Sequence, residues 1–352
     1  MDFRFTEEQE MIAETLESLL GDICSTAHLR KMIDAGQTYE ASRWQALAEL
    51  GLCGVLVPED LGGLGLSEIE FVRIAEICGA FLLPEPLVES AGVALPLLAQ
   101  ICGTDTALKD IVAQLAVGEG HAVLFHPAMP LAAHADTARF VLRSDGKRIK
   151  YGRPGEMGVQ AQLAADPLTP LFSIAVGEGC SDSLPSEQIE KAVATARDRG
   201  ALFAAARMTG IAQSALDQAV AYAREREQFG KPIGSYQAVK HRLAEVQVAI
   251  EFVRPVLYAA AALVARGDDL ARAHVAHAWL RAGETVRLAT ERAVHVHGAM
   301  GYSWEADIHL FLKRALVLSR SWGSRDLHLE HVAMRTNRYG ALDAERLFGD
   351  PR

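Results

Sequence analysis

The chain passes through three patterns of hydrophobic and polar positions. Up to about residue 118, apolar residues recur at helical spacing and are interrupted by Gly and Pro turns, notably over residues 57–65. From about 119 to 195 the apolar runs are short and bounded by turn residues, which is typical of β-strands. Long helical patterns return from about residue 196. This order predicts a mainly α fold with three domains, which are an N-terminal helical domain (1–118), a small β domain (119–195) and a C-terminal four-helix bundle (196–352).

The β domain is predicted from short apolar runs. Residues 122–125 and 171–176 are two of them, and residues 139–151 read as a hairpin around an Asp-Gly turn at Asp145 and Gly146. We therefore expect hairpin pairing in this region, without a parallel sheet and without helices between residues 120 and 180.

Two apolar seams predict the long helices of the bundle. Apolar residues recur at alternating spacings of four and three over residues 239–253, and a second seam with smaller side chains follows over residues 275–293. Pro255 should kink or divide the first helix, and Gly298 should cap the end of the second. Because the small residues permit close approach of helices, we also expect chains to associate through this bundle.

Composition narrows the possible functions. Half of the residues are hydrophobic and 23% are charged, as in ordinary soluble globular proteins. The formal net charge of −10 argues against a nucleic-acid-binding surface. The first residues are acidic and polar, so Thr6 and Gln9 are interpreted as a helix capping box and not as part of a secretory signal. Since no uncharged run of about 18 apolar residues occurs, no membrane span is expected. A cytoplasmic location follows as the expectation.

The cysteines and histidines indicate no metal site. The cysteines show no CxxC pairing and are expected to be buried free thiols in a reducing compartment. Glu305 and His309 are spaced as ligands on one helix face could be, but no further ligand lies near them. The cysteines are Cys24, Cys53, Cys78, Cys102 and Cys180.

The most informative stretch of the sequence is residues 222–241, YAREREQFGKPIGSYQAVKH. By residue type alone it is a charged helix end, a Gly-Pro loop and the start of a new helix, which a solvated connection between helices would explain. The alternative is that an arginine fork and a helix N-terminus hold a phosphate-bearing ligand. The residue types leave both interpretations open.

This stretch resembles the signature Arg-x-x-Phe-Gly-x-Pro-Ile-x-x-(Phe/Tyr)-Gln-x-(Val/Ile)-x-His of the acyl-CoA dehydrogenase family. The resemblance implies that the cofactor is FAD and that it is contacted across a subunit interface. The residues implied in this contact are Arg226, Gln228, Phe229 and Gln237.

A second stretch, HVHGAMGY at residues 295–302, is similar to the family's Gln-x-x-Gly-Gly-x-Gly-(Tyr/Phe), whose backbone approaches the ADP portion of the flavin. It implies FAD contacts at His295, Gly298 and Ala299, although a helix cap alone would explain the glycine. The loop at residues 57–65 resembles a third family element. The likeness covers residues 1–118 and 200–340.

Two departures from the family pattern concern the chemistry. The middle domain lacks a Thr-Glu-Pro-like segment and a Trp-Ile-(Thr/Ser) turn, which in the family lie beside the isoalloxazine. The second departure is the base, because removal of the α-proton of a thioester needs a positioned carboxylate. The two positions of the family's glutamate correspond to Trp322 and to Gly200, which we expect at the start of a helix. Neither takes a proton. Asp198 lies near the second position and is the remaining candidate, with a helix N-cap as the alternative interpretation.

The resemblance implies a FAD-dependent acyl-CoA dehydrogenase subunit that desaturates an acyl-CoA thioester and passes electrons to a further acceptor. It is similar to the shorter chain of heteromeric bacterial enzymes that act on bulky or dicarboxylic acyl-CoAs, including steroid side-chain thioesters. In that case a longer partner subunit supplies the base within a heterotetramer. Two alternatives stay open, which are a homo-oligomer with a non-standard base such as Asp198 and a non-catalytic interaction protein that has lost flavin.

Overall fold

The computed structural model describes residues 5–175, 181–182 and 187–339. Its elements follow the predicted order of helices, strands and long helices, so the predicted fold class is confirmed. The N-terminal helices are α1 (Glu7–Ile23), α2 (Thr26–Asp34), α3 (Ala41–Glu49), α4 (Glu68–Ala80), α5 (Leu87–Glu89), α6 (Leu95–Ile101) and α7 (Thr106–Ala116).

The N-terminal region begins where the sequence predicts. Thr6 accepts a hydrogen bond from the backbone of Gln9, and the Gln9 side chain accepts one from the backbone of Thr6, which completes the capping box of α1. The same arrangement of Ser67 and Glu70 opens α4. The loop at residues 57–65 is compact enough that any side chain at Gly63 would overlap the backbone of Val57.

The middle region consists of short strands in two small sheets. One sheet has the order β1-β3-β4-β7 and the other β2-β6-β5. In the described part of residues 120–175 there is no helix, as expected. The strands are β1 (Ala122–Phe125), β2 (Ala132–Ala133), β3 (Phe140–Ser144), β4 (Ile149–Gly152), β5 (Val159–Gln162), β6 (Leu171–Ile174) and β7 (Ser181–Asp182).

The predicted hairpin is formed by β3 and β4, with Leu142 opposite Tyr151. Asp145 accepts hydrogen bonds from the next backbone amides, and Gly146 takes a φ of 100° that a side chain would disfavour. The expectation of a region without a parallel sheet holds except at one edge, where β1 pairs with β3 in parallel. The sheet is therefore mixed, since the connection between these two strands is long enough to cross over.

Long helices form the C-terminal region. A two-stranded hairpin separates the first two of them. These elements are α8 (Glu187–Glu225), β8 (Glu227–Gln228), β9 (Lys231–Pro232), α9 (Gln237–Ala265), α10 (Ala271–His297), α11 (Ile308–Leu318) and α12 (Arg325–Tyr339).

Helix α8 starts earlier than the sequence suggested. Asp198 and Gly200 lie well inside it, so the interpretation of Asp198 as an N-cap and the placement of Gly200 at a helix start are wrong. The preceding turns are rich in polar helix formers and carry few apolar residues. Ala192, Val193 and Ala196 are nevertheless buried, and this packing continues the helix in both directions from the expected boundary.

The two seams differ in how fully they are buried. In α10 every member of the predicted seam from Val275 to Ala293 is buried, and Gly298 caps the helix at a φ of 61°. Helix α9 continues through Pro255, so the predicted division is wrong. Because Pro255 lies on the exposed face of α9, the carbonyl that loses its helical partner there faces solvent.

By length and composition α9 would also be long enough to cross a membrane. It packs against α4, α8 and α10, which favours its place as a bundle helix. One large hydrophobic cluster joins the N-terminal and C-terminal helices, and a smaller cluster lies within the β region around Val123, Phe125 and Phe172.

The cysteines within the described residues are buried and free, as expected. Burial raises the pKa of Cys24, Cys53 and Cys78 to about 12. These thiols therefore remain protonated and serve as packing groups. Cys180 lies outside the described residues.

Candidate functional site

A tight hairpin connects α8 to α9 and carries the first motif. Its turn consists of Phe229 and Gly230, whose φ angles are 55° and 77°. Two consecutive left-handed residues are the geometry of a type I′ turn, which glycine adopts freely and a bulky residue only at a cost of about 1–3 kcal/mol. The Phe229 side chain is 92% exposed, and its edge-on contact with the Tyr236 ring, 6.4 Å between centres, buries little of it. Such strain makes this turn a candidate functional position.

The backbone of this hairpin is held by hydrogen bonds, whereas the Arg226 side chain is not. The hydroxyl of Tyr236 donates to the carbonyl of Gln228 at 3.1 Å, and the ammonium of Lys231 lies 4.3 Å from the centre of the Tyr236 ring. The carbonyl of Arg226 accepts from the Ile233 amide at 2.8 Å. The Arg226 guanidinium is exposed and makes no hydrogen bond or ion pair with any described residue.

The second motif lies at the same end of the bundle. The ring of His297, in the last turn of α10, stacks on Tyr222 of α8 with their centres 4.2 Å apart. The Nδ1 of His297 lies 2.8 Å from the carbonyl of Ala293 and donates to it. His297 therefore joins the two motifs and is a structural residue. His295, Gly298 and Ala299 are exposed beyond it, as is Gln237 at the start of α9.

The two positions expected for a catalytic glutamate lie in direct contact with each other. Trp322, just after α11, has a φ of 62°, and its side chain is only 6% exposed. A methyl group placed on Gly200 would overlap the Trp322 indole. Glycine is thus required in α8 because the indole lies directly on the helix backbone. Neither position has a carboxylate, and the indole fills the space between them.

The surroundings of Trp322 are also ordered. Trp279 of α10 donates its indole N–H to the carbonyl of Ser321 at 3.2 Å, which fixes the adjacent backbone. The same Trp279 stacks on His328 of α12 at 4.2 Å. His126, at the end of β1, lies 6.2 Å from Trp322 between ring centres. The indole thus lies between α8 and the end of β1, and α10 fixes the backbone beside it.

Asp198, the remaining candidate base, is committed to an ion pair. Its two carboxylate oxygens accept from the Nε and Nη2 of Arg272 at 3.0 and 3.2 Å. Burial raises the pKa of the Asp198 carboxyl, and the Arg272 guanidinium opposes this rise. A general base needs a lone pair directed at the substrate. In Asp198 both oxygens are directed at a guanidinium.

A cavity of about 470 Å³ lies between the β region and the end of α11. Apart from Arg320 and Ser321 its lining is apolar, and Pro130 contributes no N–H to it. The other lining residues are Met129, Leu131, Leu163, Ala165, Leu171, Leu316 and Val317.

The segment around Trp304 and His309 is structural. Asp307 forms an ion pair with Arg30 of α2, and the same guanidinium donates to the carbonyl of Trp304. His309 contacts the Trp304 ring edge-on at 4.6 Å. Within the described residues no group of three His, Cys, Asp or Glu side chains could hold a metal ion.

Sequence reasoning missed the charged residues around Asp198. Arg272 is the partner of Asp198, and Arg197 contacts His331 of α12. The only signal in the sequence was the charged run Arg197-Asp198-Arg199 just before the apolar part of the helix. Nothing in the spacing of residues shows that Arg272 and His331 lie opposite it.

Comparison with known proteins identifies the family. The model of the acyl-CoA dehydrogenase N-terminal domain matches residues 6–119, and that of the C-terminal domain matches residues 191–336. Acyl-CoA dehydrogenase IpdE2 of Mycobacterium tuberculosis is 30% identical over 311 residues, which cover 88% of this chain and 91% of that protein. IpdE2 of Mycolicibacterium smegmatis is 29% identical, with 88% and 93% covered.

Solved structures share the fold. The ChsE4–ChsE5 complex of Mycobacterium tuberculosis contains a chain with a TM-score of 0.84 and 24% identity, covering 97% of this chain and 100% of that one. PigA with FAD and proline has a TM-score of 0.80 and 18% identity, covering 96% of this chain and 99% of that one. At these identities the likeness shows the fold alone.

Proposed function

This chain belongs to the acyl-CoA dehydrogenase family, and we propose that it is a FAD-binding subunit whose catalytic base comes from a partner subunit. The observation that carries the proposal is the contact between Gly200 and Trp322. Neither of these two expected positions has a carboxylate, and the indole fills the space that one at either position would need. The enzyme's reaction is then the α,β-desaturation of an acyl-CoA thioester.

The open end of the bundle supports the role in FAD binding. No carboxylate in the described part of the chain competes for the Arg226 guanidinium, and such a fork binds a pyrophosphate through parallel charge-assisted hydrogen bonds. Phe229 holds an exposed aromatic ring beside it at a strained position. Gln228, Gln237, His295, Gly298 and Ala299 are exposed at the same end and complete the proposed contacts. Bound FAD would supply the hydride acceptor, and these residues would hold its ADP portion across the interface.

The cavity between the β region and the end of α11 supports a division of labour between two subunits. Apart from Arg320 and Ser321 its lining is apolar, so it offers few of the N–H donors and cations that a pyrophosphate needs. We infer that this chain contributes to a flavin held mainly by its partner and does not hold a second flavin on its own β region. One FAD per pair of subunits is the expected stoichiometry.

Exposed apolar side chains of the C-terminal region support assembly. Val248 and Phe252 on α9 are 54% and 69% exposed, and Tyr302 is 82% exposed. Monomers rarely leave such residues grouped in solvent. By analogy with the ChsE4–ChsE5 complex, we propose a heterotetramer with a longer family member. Bulky acyl-CoAs, including steroid side-chain thioesters, are the proposed substrates in the cytoplasm, and a separate electron-transfer protein is the proposed acceptor.

The test is to purify the chain alone and together with a longer acyl-CoA dehydrogenase subunit from the same genome. Flavin absorbance, subunit mass and dehydrogenation of acyl-CoAs with an artificial electron acceptor are measured for each preparation. We expect flavin and activity only in the complex. Robust turnover by the chain alone would contradict the proposal, and loss of that turnover in Asp198→Asn would favour a homo-oligomer with Asp198 as base.

A further inference from the structure

The apolar cavity between the β region and the end of α11 has one charged side chain in its lining. Arg320 supplies it, and none of the other lining residues is an Asp, Glu, Lys or His. The Arg320 guanidinium is exposed and makes no hydrogen bond or ion pair with any described residue. An unpaired guanidinium beside aliphatic side chains matches a ligand with one negative charge and a hydrocarbon body.

Other polar groups of the lining are already engaged. The Ser321 hydroxyl donates to the carbonyl of Leu318 at 2.7 Å. The Met129 amide donates to the carbonyl of His126 at 2.7 Å, and Pro130 has no N–H to offer. The charged group of a ligand would therefore find its hydrogen-bond donors on the free guanidinium.

The carboxylate that follows the lining residue Ala165 in the chain does not compete for this guanidinium. Asp166 accepts hydrogen bonds from the buried Arg314 of α11, from the Thr169 hydroxyl at 3.0 Å and from the Leu168 amide at 3.0 Å. Because Asp166 and Arg314 are both almost fully buried, their ion pair ties the β5–β6 connection firmly to α11. Both walls of the cavity are thus held in place before a ligand binds, as in most small-molecule sites.

The rim of the cavity exposes apolar side chains on both walls. Leu163 of the β5–β6 connection is fully exposed, and Leu316 of α11 is exposed on the other side. Contact with a hydrocarbon removes such surface from water and is favourable. The volume of about 470 Å³ lies within the range of small-molecule sites.

We propose that this cavity binds a small hydrophobic carboxylic acid, such as a fatty or alicyclic acid. Its carboxylate pairs with Arg320, since a planar guanidinium donates two parallel hydrogen bonds to a carboxylate. Its hydrocarbon part covers the aliphatic lining. A thioester has no charge to pair with Arg320, so the ligand is a free acid and differs from the acyl-CoA substrate of the proposed reaction. The site is also separate from the proposed flavin contacts at Arg226.

The experiment is to titrate the full chain with hexanoate, octanoate and decanoate by calorimetry. The Kd should fall about fourfold with each added methylene group, the fold-change that corresponds to about 0.8 kcal/mol per buried CH₂. The uncharged 1-octanol has the same chain length as octanoate. It should bind at least about tenfold more weakly, because it forfeits a charge-assisted hydrogen bond to the guanidinium.

Variants separate the charge from the hydrocarbon contact. Arg320→Gln should weaken octanoate binding at least about tenfold and leave 1-octanol binding unchanged. Arg287→Gln is the matched control, because Arg287 is exposed on α10 in an ion pair with Glu291. It should bind octanoate as the wild type does. Leu163→Asn alters a fully exposed side chain and should weaken decanoate more than hexanoate. The midpoint of thermal unfolding without ligand verifies that each variant is folded.

Three results of the titrations would overturn the proposal. They are the absence of saturable binding to the wild type, equal binding of octanoate and 1-octanol, and equal octanoate binding by Arg320→Gln and the wild type. Two further results would assign the cavity to another occupant. Displacement of octanoate by more tightly bound octanoyl-CoA would make it an acyl subsite, and displacement by a longer partner subunit would make it part of the interface. The titrations use neither flavin nor turnover, so their outcome is independent of the proposed function.

Discussion

Two regions of the molecule differ in how far their side chains are exposed. They are the end of the bundle that carries Arg226 and the contact between Gly200 and Trp322. At the first, the Arg226 guanidinium has no partner among the described residues, and Phe229 is 92% exposed in a strained turn. At the second, an indole that is 6% exposed lies directly on a helix backbone. One region leaves its groups exposed, and the other has closed on itself. Under the proposed function the chain keeps its contribution to a shared site while the place of its own catalytic base is filled.

The two regions also differ in what a substitution would disturb. Removing an exposed, unpaired side chain alters binding and leaves folding intact. Removing a buried aromatic leaves a cavity and costs stability. The comparison can therefore be tested by measuring binding, activity and stability separately in matched variants.

The largest effect is expected on catalysis. The chain alone should lack acyl-CoA dehydrogenation, because the loss of a positioned base forfeits about 10²–10⁴-fold. In a complex, changing the partner's catalytic glutamate to glutamine should abolish turnover, measured with an artificial electron acceptor. Asp198→Asn in this chain should leave the rate unchanged. A loss of rate in Asp198→Asn with flavin retained would move the base into this chain and end the contrast between the regions.

A large effect on stability is expected at the contact between Gly200 and Trp322. Trp322→Ala should lower the free energy of unfolding by about 3–5 kcal/mol through the cavity it leaves. Gly200→Ala should lower it by about 1–3 kcal/mol, because the added methyl group overlaps the indole. Urea denaturation measures both.

The matched control for Trp322→Ala is Trp304→Ala, since Trp304 is 59% exposed. It should change the free energy of unfolding far less. If Gly200→Ala proves harmless in the wild type, the indole does not lie on α8 as described. In the Trp322→Ala background the cost of Gly200→Ala should shrink, since the two residues are in contact.

A smaller effect is expected at the open end. Arg226→Ala should weaken FAD binding by about tenfold to a hundredfold, because one or two charge-assisted hydrogen bonds are lost. Arg226→Lys should recover only part of this, since an ammonium lacks the planar fork. Flavin content after purification and fluorescence titration measure the change. The exposed neighbour Arg224→Ala is the control, and equal flavin retention by Arg226→Ala and Arg224→Ala would remove Arg226 from the proposed site.

The smallest effect concerns how the free energy of unfolding depends on pH through His328, beside the contact between Gly200 and Trp322. Burial, with smaller effects of His331 and Arg197, lowers the pKa of His328 from 6.5 to about 4. Between these values the unfolded chain binds more protons than the folded one, so the free energy of unfolding should fall as the pH drops from 6.5 to 4. His328→Gln should reduce this slope by up to about 1.4 kcal/mol per pH unit. His241→Gln, at an exposed histidine, should not reduce this slope. Equal slopes in both variants would contradict the lowered pKa of His328.

Much of the fold was readable from the sequence because its signals are local. The capping box of Thr6 and Gln9, the Asp145-Gly146 turn and the seam of α10 each depend on residues close in the chain. The start of α8 was misplaced because its first turns are polar and their burial depends on distant elements. The uninterrupted α9 was missed because the cost of Pro255 depends on which face of the helix it occupies.

The sequence by itself determined the order of the elements, the resemblance that led to the family, and the absence of a glutamate at Trp322 and Gly200. These follow from local periodicity and from residue identity. Only the tertiary structure decided that Trp322 and Gly200 touch, that Asp198 is held by Arg272, and that Arg197 contacts His331. Contacts between residues far apart in the chain are set by how the helices pack, and the spacing of residues along one helix does not specify them.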